Sequence, residues 1–315
     1  MILSVSRRTD IPAFYPEWFL NRLSEGYACV RNPMSPRQVS RVAITPELVD
    51  CIVFWSKNPA PLLPYLGALG GYAYYFQYTL NAYGPGIEPL LPPLSERVKT
   101  FRALSKSIGP ERVVWRYDPI LFCRAWPPSA HLAAFGKLAA ALRGHTEKCV
   151  VSLVDLYPAK NGRSLARLGV YRPDAGTLGA FFEALAGIAR ENGLSLASCA
   201  EEIPLERYGI GHNRCIDPAL IERIIGCRLQ AGPGGQRPGC LCARCEDIGA
   251  YDTCPHGCVY CYATARPGGV SQRRARYDPA SPLLCDSLAE GDRVTVRPVR
   301  SLRPGQSGAG QLTLL

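Results

Sequence analysis

The sequence has no long apolar run and no export signal. No segment reaches the roughly 18 apolar residues that a membrane span needs, and two long apolar stretches are interrupted by Lys137 and Glu183. The first charged residues, Arg7 and Arg8, follow an apolar patch, which is the reverse of a secretory signal. We therefore expect a cytoplasmic protein without a membrane partner.

Familiar catalytic patterns are also missing. Histidine is scarce, with four in 315 residues, and His131, His145 and His212 have no partner at metal-ligand spacing. There is no Ser-His-Asp arrangement and no Gly-x-Ser-x-Gly motif. No glycine-rich loop follows the first predicted strand. These absences argue against a triad hydrolase and against a dinucleotide-binding fold.

Cysteine, by contrast, is abundant and unevenly placed. Ten of the fourteen cysteines fall in the last 117 residues, and six of them lie within 22 positions. A chain of this size in a reducing compartment is not a disulfide scaffold, so this density predicts metal binding. We expect the isolated cysteines to be core residues: Cys29, Cys51, Cys123 and Cys149.

The charge balance is basic, with 36 Lys and Arg against 26 Asp and Glu, a net charge of +10. Part of this charge is local, because residues 262–303 carry eight arginines and four acids. A basic surface favours an anionic partner, and nucleic acid is the candidate.

Strand-like and helix-like segments alternate along the chain. Such an order predicts an α/β fold with a parallel sheet, here a (β/α) barrel. We expect a barrel body over 1–230, a cysteine-rich segment that completes it over 231–265, and an Arg/Pro/Gly-rich tail over 266–315. A small hairpin over 27–44 and a tail strand at 293–296 are also predicted. Six strands precede residue 200: Ile2–Ser6, Cys51–Trp55, Tyr72–Leu80, Arg112–Tyr117, Cys149–Val154 and Leu194–Cys199.

The densest motif is Cys254-Pro-His-Gly-Cys258-Val-Tyr-Cys261-Tyr-Ala, called the cysteine loop below. Three thiolates in one short loop can hold three corners of a [4Fe-4S] cluster and leave the fourth iron open to an outside ligand. The alternative is structural zinc shared with an upstream cysteine group, although zinc sites more often use Cys-x2-Cys pairs. That upstream group comprises Cys240, Cys242 and Cys245.

The cysteine loop resembles the signature of the radical S-adenosylmethionine superfamily, and its His-Gly and Tyr-Cys-Tyr-Ala elements are similar to proteins like spore photoproduct lyase. The resemblance implies that S-adenosylmethionine binds the open iron and is cleaved reductively to a 5′-deoxyadenosyl radical. It also implies a reductant such as flavodoxin or ferredoxin. Tyr260, beside the third cysteine, is then a cofactor-binding candidate.

Nearly everything before residue 265 also resembles an uncharacterised bacterial family, domain-of-unknown-function family 1848. The shared segments are Ser4–Asp10, Val53–Pro59, Trp115–Ile120, Asp247–Gly249 and the cysteine loop.

In the superfamily these cysteines follow the first barrel strand, whereas here they follow six predicted strands. Two explanations are open: the cysteine loop belongs to an auxiliary domain, or the barrel is circularly permuted. We favour a permuted barrel whose first strand is 248–253. The carboxyl ends of the strands then hold the site. Asp10 is the first choice for the cofactor amine and Arg7 or Lys57 for its carboxylate. The sequence has no Gly-Gly-Glu after the presumed second strand, which leaves the amine ligand open. The predicted cofactor-binding residues are Ser6, Arg7, Asp10, Lys57, Gln77, Arg116 and Asp118, with Ser152, Asp155, Glu201 and Glu202 completing the ring.

A second [4Fe-4S] cluster is predicted from the remaining cysteines. Four thiolates complete such a cluster: Cys199, Cys215, Cys240 and Cys242, with Cys245 as the alternative fourth ligand.

The sequence thus favours a radical S-adenosylmethionine enzyme of open substrate, with a nucleic-acid lesion or modified base as the candidate. The alternative is a non-enzymatic, zinc-stabilised module that binds nucleic acid.

Overall fold

Eight parallel strands form the central sheet of the protein in this computed structural model, which describes residues 1–201, 203–235, 237–264 and 267–305. In sheet order they are β10 (Glu246–Asp247), β1 (Ile2–Val5), β4 (Cys51–Ser56), β5 (Tyr74–Thr79), β6 (Val113–Ile120), β7 (Lys148–Leu153), β8 (Ser195–Ser198) and β9 (Gly211–His212). A second sheet consists of β11 (Arg293–Val296), β3 (Gln38–Ala43) and β2 (Tyr27–Arg31).

The helices surround the central sheet. They are α1 (Ile11–Phe14), α2 (Pro16–Glu25), α3 (Leu94–Ile108), α4 (Pro128–Leu142), α5 (Arg163–Arg167), α6 (Ala175–Glu191), α7 (Pro218–Ile225) and α8 (Pro267–Arg274). Because helices cover both faces, the central strands are apolar along their length, as in β4, where only Trp55 is partly exposed. Among the residues that the structure describes, no helix is long and apolar enough to cross a bilayer.

The predicted α/β class and parallel sheet are confirmed. The pairing does not close into a barrel among the described residues, since β10 and β9 remain the two edges of the sheet. The strand ahead of the cysteine loop is Glu246–Asp247, so its expected position at 248–253 was wrong. The Asp247 carboxylate accepts hydrogen bonds from Ser4, Ser6 and the Gly249 N–H. Regular pairing with β1 covers only two residues, Glu246 and Asp247.

The second sheet joins the N-terminal hairpin to the C-terminal tail. The expected hairpin is confirmed, with β2 antiparallel to β3, and the expected tail strand is β11, which pairs parallel with β3. Arg31 anchors the tail through ion pairs with Asp286, at 2.6 Å, and Asp292, at 2.7 Å.

The core contains a fully buried histidine. His131 on α4 places Nε2 2.9 Å from the Leu121 carbonyl and Nδ1 2.9 Å from the Tyr117 hydroxyl. A carbonyl can only accept, so Nε2 carries the proton and Nδ1 accepts from Tyr117. Burial lowers the pKa of His131 to about 4, although the hydrogen bond to Leu121 opposes the shift. The imidazole is therefore neutral in the folded protein near pH 7.

Acidification should cost stability through His131. In the unfolded chain the imidazole takes up a proton near pH 6.5, whereas in the folded protein its pKa is about 4. The stability that neutral His131 contributes is therefore fully present above pH 6.5 and is lost as the pH falls toward about 4. We expect His131→Gln to reduce the loss in unfolding free energy between pH 7 and pH 4.5 by about 2–3 kcal/mol. Urea unfolding at both pH values measures this. An equal reduction in His145→Gln, whose ring is only partly buried, would contradict the assignment to His131.

Candidate metal centre

Asp10 joins the ends of two strands to the cysteine loop. It follows β1, and its Oδ1 accepts hydrogen bonds from Ser56 Oγ at 2.7 Å and from the Ala13 N–H at 3.1 Å. Its Oδ2 accepts from the Lys57 N–H at 2.7 Å and lies 2.9 Å from His256 Nε2. A carboxylate offers about four lone-pair sites, and these four groups occupy them. Asp10 therefore holds the cysteine loop against the carboxyl ends of β1 and β4.

Glu88 is the centre of a buried charge network that sequence reasoning missed. Its carboxylate lies 2.8 Å from Lys57 Nζ and 3.3 Å from Arg97 Nη1, and it accepts a hydrogen bond from the Tyr260 hydroxyl. Burial by itself raises the pKa of Glu88, but the Lys57 ammonium, the Tyr260 hydroxyl and Arg97 together hold it below its usual value. One feature of the sequence could have pointed to Glu88: it is the single acidic residue in the Pro- and Gly-rich stretch 82–93, which follows β5.

The three thiols of the cysteine loop are half-buried near this network. Burial raises the pKa of Cys254, and the nearby charges of Asp10, Cys261 and Cys258 add to the shift. Burial likewise raises the pKa of Cys258 to about 12, although the Lys57 ammonium opposes it. Lys57 Nζ lies 5.3 Å from the centroid of the Tyr260 ring. The predicted residues Lys57, Asp10 and Tyr260 thus lie together with the cysteine loop.

A second set of cysteines gathers near the ends of β6 and β8. We call Cys199, Cys215, Cys240, Cys242 and Cys245 the second cysteine group. The Sγ atoms of Cys199 and Cys215 are 3.4 Å apart, and the Cys215 N–H donates to Cys242 Sγ at 3.3 Å. Cys215 and Cys242 are buried, whereas the other three are half-buried.

Gln77, Arg116 and Asp118 lie with the second cysteine group. Arg116 Nη1 donates to Cys215 Sγ at 2.8 Å and to Gln77 Oε1 at 3.3 Å, and its guanidinium pairs with Asp118. Gln77 Nε2 donates to the Cys215 carbonyl at 2.9 Å. The ring of polar residues predicted at the strand ends is therefore divided between two cysteine-rich places.

Ser6 and Arg7 lie between these two places. Ser6 Oγ donates to Asp247 at 2.7 Å, and Arg7 Nη2 donates to Cys245 Sγ at 3.2 Å. Arg7 also stacks on the Trp55 ring, 5.2 Å from its centroid. The Arg7 carbonyl accepts a hydrogen bond from the hydroxyl of Tyr262, the residue that follows the third cysteine of the loop.

The remaining predicted ring residues have structural contacts. Ser152 donates to Asp118, Asp155 pairs with Arg237, and Glu201 accepts from the Leu153 N–H at 2.7 Å. Glu202 lies outside the described residues. The four cysteines expected in the core are confirmed as buried.

The thiols of the cysteine loop fit a cluster better than a single metal ion. In the described part of the chain, no three Cys, His, Asp or Glu side chains converge as ligands of one metal ion. In an iron–sulfur cluster each thiolate binds a different iron, so convergence on one point is not required. Within the cysteine loop His256 Nδ1, a buried polar atom, has no hydrogen-bond partner. An all-thiol donor set with an unsatisfied polar atom beside it fits a cluster better than one hard cation.

Comparisons with known proteins identify a family, and the structures that match include a distant one. No curated protein matches the chain. The crystal structure of a Bacteroides thetaiotaomicron protein assigned as an alpha-L-fucosidase is 14% identical, with 56% of this chain and 82% of that chain covered. Its TM-score is 0.27, so the likeness carries no inference. The family model described as "Domain of unknown function (DUF1848)" matches residues 2–263. The chain therefore belongs to the DUF1848 family.

Proposed function

We propose that this protein is a radical S-adenosylmethionine enzyme whose [4Fe-4S] cluster is held by Cys254, Cys258 and Cys261. One observation carries the proposal: the three-cysteine loop lies at the carboxyl ends of parallel strands, held there by Asp10. Active sites of parallel α/β proteins lie at that end of the sheet. The spacing Cys-x3-Cys-x2-Cys supports a cluster that keeps one iron open.

When bound, the cluster and S-adenosylmethionine would supply a carbon-centred radical that abstracts hydrogen from substrate. The chain's own residues position and shield this chemistry. Asp10 orients the cysteine loop through its contact with His256. Tyr260 is buried beneath the loop, where its hydroxyl donates a hydrogen bond to Glu88.

Lys57 is the residue that we assign to the cofactor carboxylate. Its ammonium has three donors, and the described contacts use one of them on Glu88. Its charge also acts on the nearby Cys258 thiol, whose pKa it lowers against the effect of burial. Because Asp10 already accepts four hydrogen bonds, we assign it to holding the loop and leave the cofactor amine to another group.

The sheet is consistent with a permuted barrel of the radical S-adenosylmethionine type. β10 is the last strand before the cysteine loop, and it pairs parallel with β1 at the sheet edge. In such a barrel β10 stands as the first strand and β1 as the second. We also propose a cytoplasmic location, because a cluster of this kind needs a reducing compartment and an electron donor such as flavodoxin or ferredoxin.

We propose nucleic acid as the substrate, on the basis of the side chains around the loop. Lys160 lies over the rings of Tyr251, at 5.1 Å, and Tyr262, at 5.9 Å, while Arg8 lies over Tyr251 at 5.1 Å. Tyr157 lies 5.9 Å from Tyr262. Aromatic rings interleaved with cations are what unstacked bases bind, and a lesion or modified base must leave the duplex to reach such a site.

Anaerobic turnover tests the proposal. Reconstituted protein with a reductant and S-adenosylmethionine should release 5′-deoxyadenosine, and single-stranded DNA should stimulate the release. The Cys254/Cys258/Cys261→Ala variant should release none. Cys227→Ala, which removes an exposed cysteine outside both groups, should behave as the unmodified protein.

Two results would overturn the proposal. One is equal product from the triple variant, since the loop would then be dispensable. The other is unmodified protein that contains zinc, contains no iron and yields no product, which would leave the zinc-stabilised binding module.

A further inference from the structure

We propose that the second cysteine group holds a [4Fe-4S] cluster of its own, ligated by Cys199, Cys215, Cys242 and Cys245 and bordered by two guanidinium groups. This site is independent of the cysteine loop, and it stands or falls separately from the proposed reaction.

Three separate parts of the chain supply the thiols. Cys199 follows β8, Cys215 lies in the loop before α7, and Cys242 and Cys245 precede β10. The links between them are direct, because Cys215 Sγ is 3.4 Å from Cys199 Sγ and the Cys215 N–H reaches Cys242 Sγ. Backbone hydrogen bonds from Ala243 to Ile216 and from Gly234 to Cys242 fix the loop that carries Cys242. Convergence from such distant segments is not a consequence of local sequence.

Cations face these sulfurs. Arg116 donates to Cys215 Sγ at 2.8 Å and Arg7 donates to Cys245 Sγ at 3.2 Å, and both guanidinium groups stack on Trp55. Asp118 balances Arg116, but Arg7 has no carboxylate within ion-pair distance in the part of the chain that the structure describes. Thiolates on a cluster carry negative charge that iron offsets only in part. They therefore add to the negative charge that Asp247 supplies near Arg7.

Unpartnered polar atoms also point to a missing ligand. Arg7 Nε and Asn213 Oδ1 are buried and have no hydrogen-bond partner. The Asn213 amide group donates to Cys215 Sγ at 3.2 Å, so its side chain contacts the same thiol. Buried polar groups of this kind are rare in proteins and commonly mark an ion or group that completes the site.

The distance between the closest thiols excludes a disulfide, because a disulfide needs sulfurs about 2.05 Å apart and those of Cys199 and Cys215 are 3.4 Å apart. In the described part of the chain, no three of these thiols form a site for a single metal ion. A bound cluster would move the sulfurs of Cys199 and Cys215 further apart, since each thiolate then holds a different iron. Cluster thiolates bind separate irons, and hydrogen bonds from N–H groups to sulfur are a usual feature of such sites.

Arg7 decides between the two candidates for the fourth ligand. Its guanidinium contacts Cys245 directly, and it stacks on the same Trp55 ring as the guanidinium of Arg116, which contacts Cys215. Cys240 lies two residues before Cys242 and is half-buried. We therefore assign Cys245 as the ligand and Cys240 as a neighbour, which makes Cys240→Ala a matched control.

Iron analysis in the absence of the first cluster tests the site. The Cys254/Cys258/Cys261→Ala variant, reconstituted anaerobically, should retain about four irons and four sulfides per chain. After reduction, its electron paramagnetic resonance spectrum should not respond to S-adenosylmethionine. Adding Cys215→Ala or Cys245→Ala to that variant should remove the iron, and adding Cys240→Ala should not.

The outcomes are distinct from those of the turnover test. A folded triple variant, checked by circular dichroism and gel filtration, that binds no iron overturns the second cluster even if the unmodified protein makes 5′-deoxyadenosine. About one zinc per chain in its place overturns the cluster as well. Loss of iron with Cys240→Ala and its retention with Cys245→Ala overturns the ligand set.

Discussion

Replacing Glu88 by glutamine should lower the free energy of unfolding by about 3–5 kcal/mol. The carboxylate is fully buried between Lys57 and Arg97, whose side chains are 16% and 3% exposed. Glutamine keeps the size of the side chain and removes its charge, so two buried cations lose their common partner. Breaking a buried ion pair from one side leaves an uncompensated charge, and this desolvation cost dominates the effect. Urea unfolding under anaerobic conditions measures the change.

An exposed ion pair provides the matched control for Glu88. Glu147 lies 2.8 Å from Arg223, and both side chains are more than half exposed. Water screens such a pair, so Glu147→Gln should cost only about 0–1 kcal/mol. Similar losses for the two variants would show that Glu88 is not the charge centre of the network.

Replacing Asp10 by alanine should lower the free energy of unfolding by about 4 kcal/mol, because the buried Lys57 and Ala13 N–H groups lose their acceptor at about 1–3 kcal/mol each. The substitution also releases Ser56 and His256, which removes the contact between β1, β4 and the cysteine loop. Asp10→Asn retains one acceptor oxygen and should recover part of the loss. Equilibrium unfolding of the three proteins measures the series.

Asp174 separates helix capping from this network. Both Asp10 and Asp174 accept the backbone N–H three residues on, at the start of α1 and of α6. Asp174 is exposed, and its described role is the cap of α6. Asp174→Ala should therefore lower the free energy of unfolding much less than Asp10→Ala does. If the two variants lost equal stability, Asp10 would act only as a helix cap.

Local pattern was sufficient for much of the fold. The apolar run at Cys51–Trp55, with nothing polar to face water, predicts a strand covered on both faces, and β4 is such a strand. The hairpin and the tail strand were also predicted from their own residues. The predicted barrel does not close among the described residues. Closure would need pairing between β9 and β10, two-residue strands with 33 residues between them, and no local pattern encodes that hydrogen bonding.

The site shows the same division. The cysteine loop was evident from its spacing, since its three thiols lie within eight consecutive residues. Glu88 was missed, because its importance comes from Lys57, Arg97 and Tyr260, which are 31, 9 and 172 residues away in the chain.

Short stretches of the chain were enough to predict the alternation of strands and helices, the buried core cysteines and the three-thiol loop, since each depends on neighbouring residues. The contacts of Arg116 with Cys215 and of Arg7 with Cys245 became evident only from the folded chain. The same is true of the division of the polar residues between the two groups of cysteines. These contacts could not be predicted locally, because the order of strands in the sheet brings side chains more than 200 residues apart, such as Arg7 and Cys245, into contact. Charge balance inside the protein then depends on these neighbours in space.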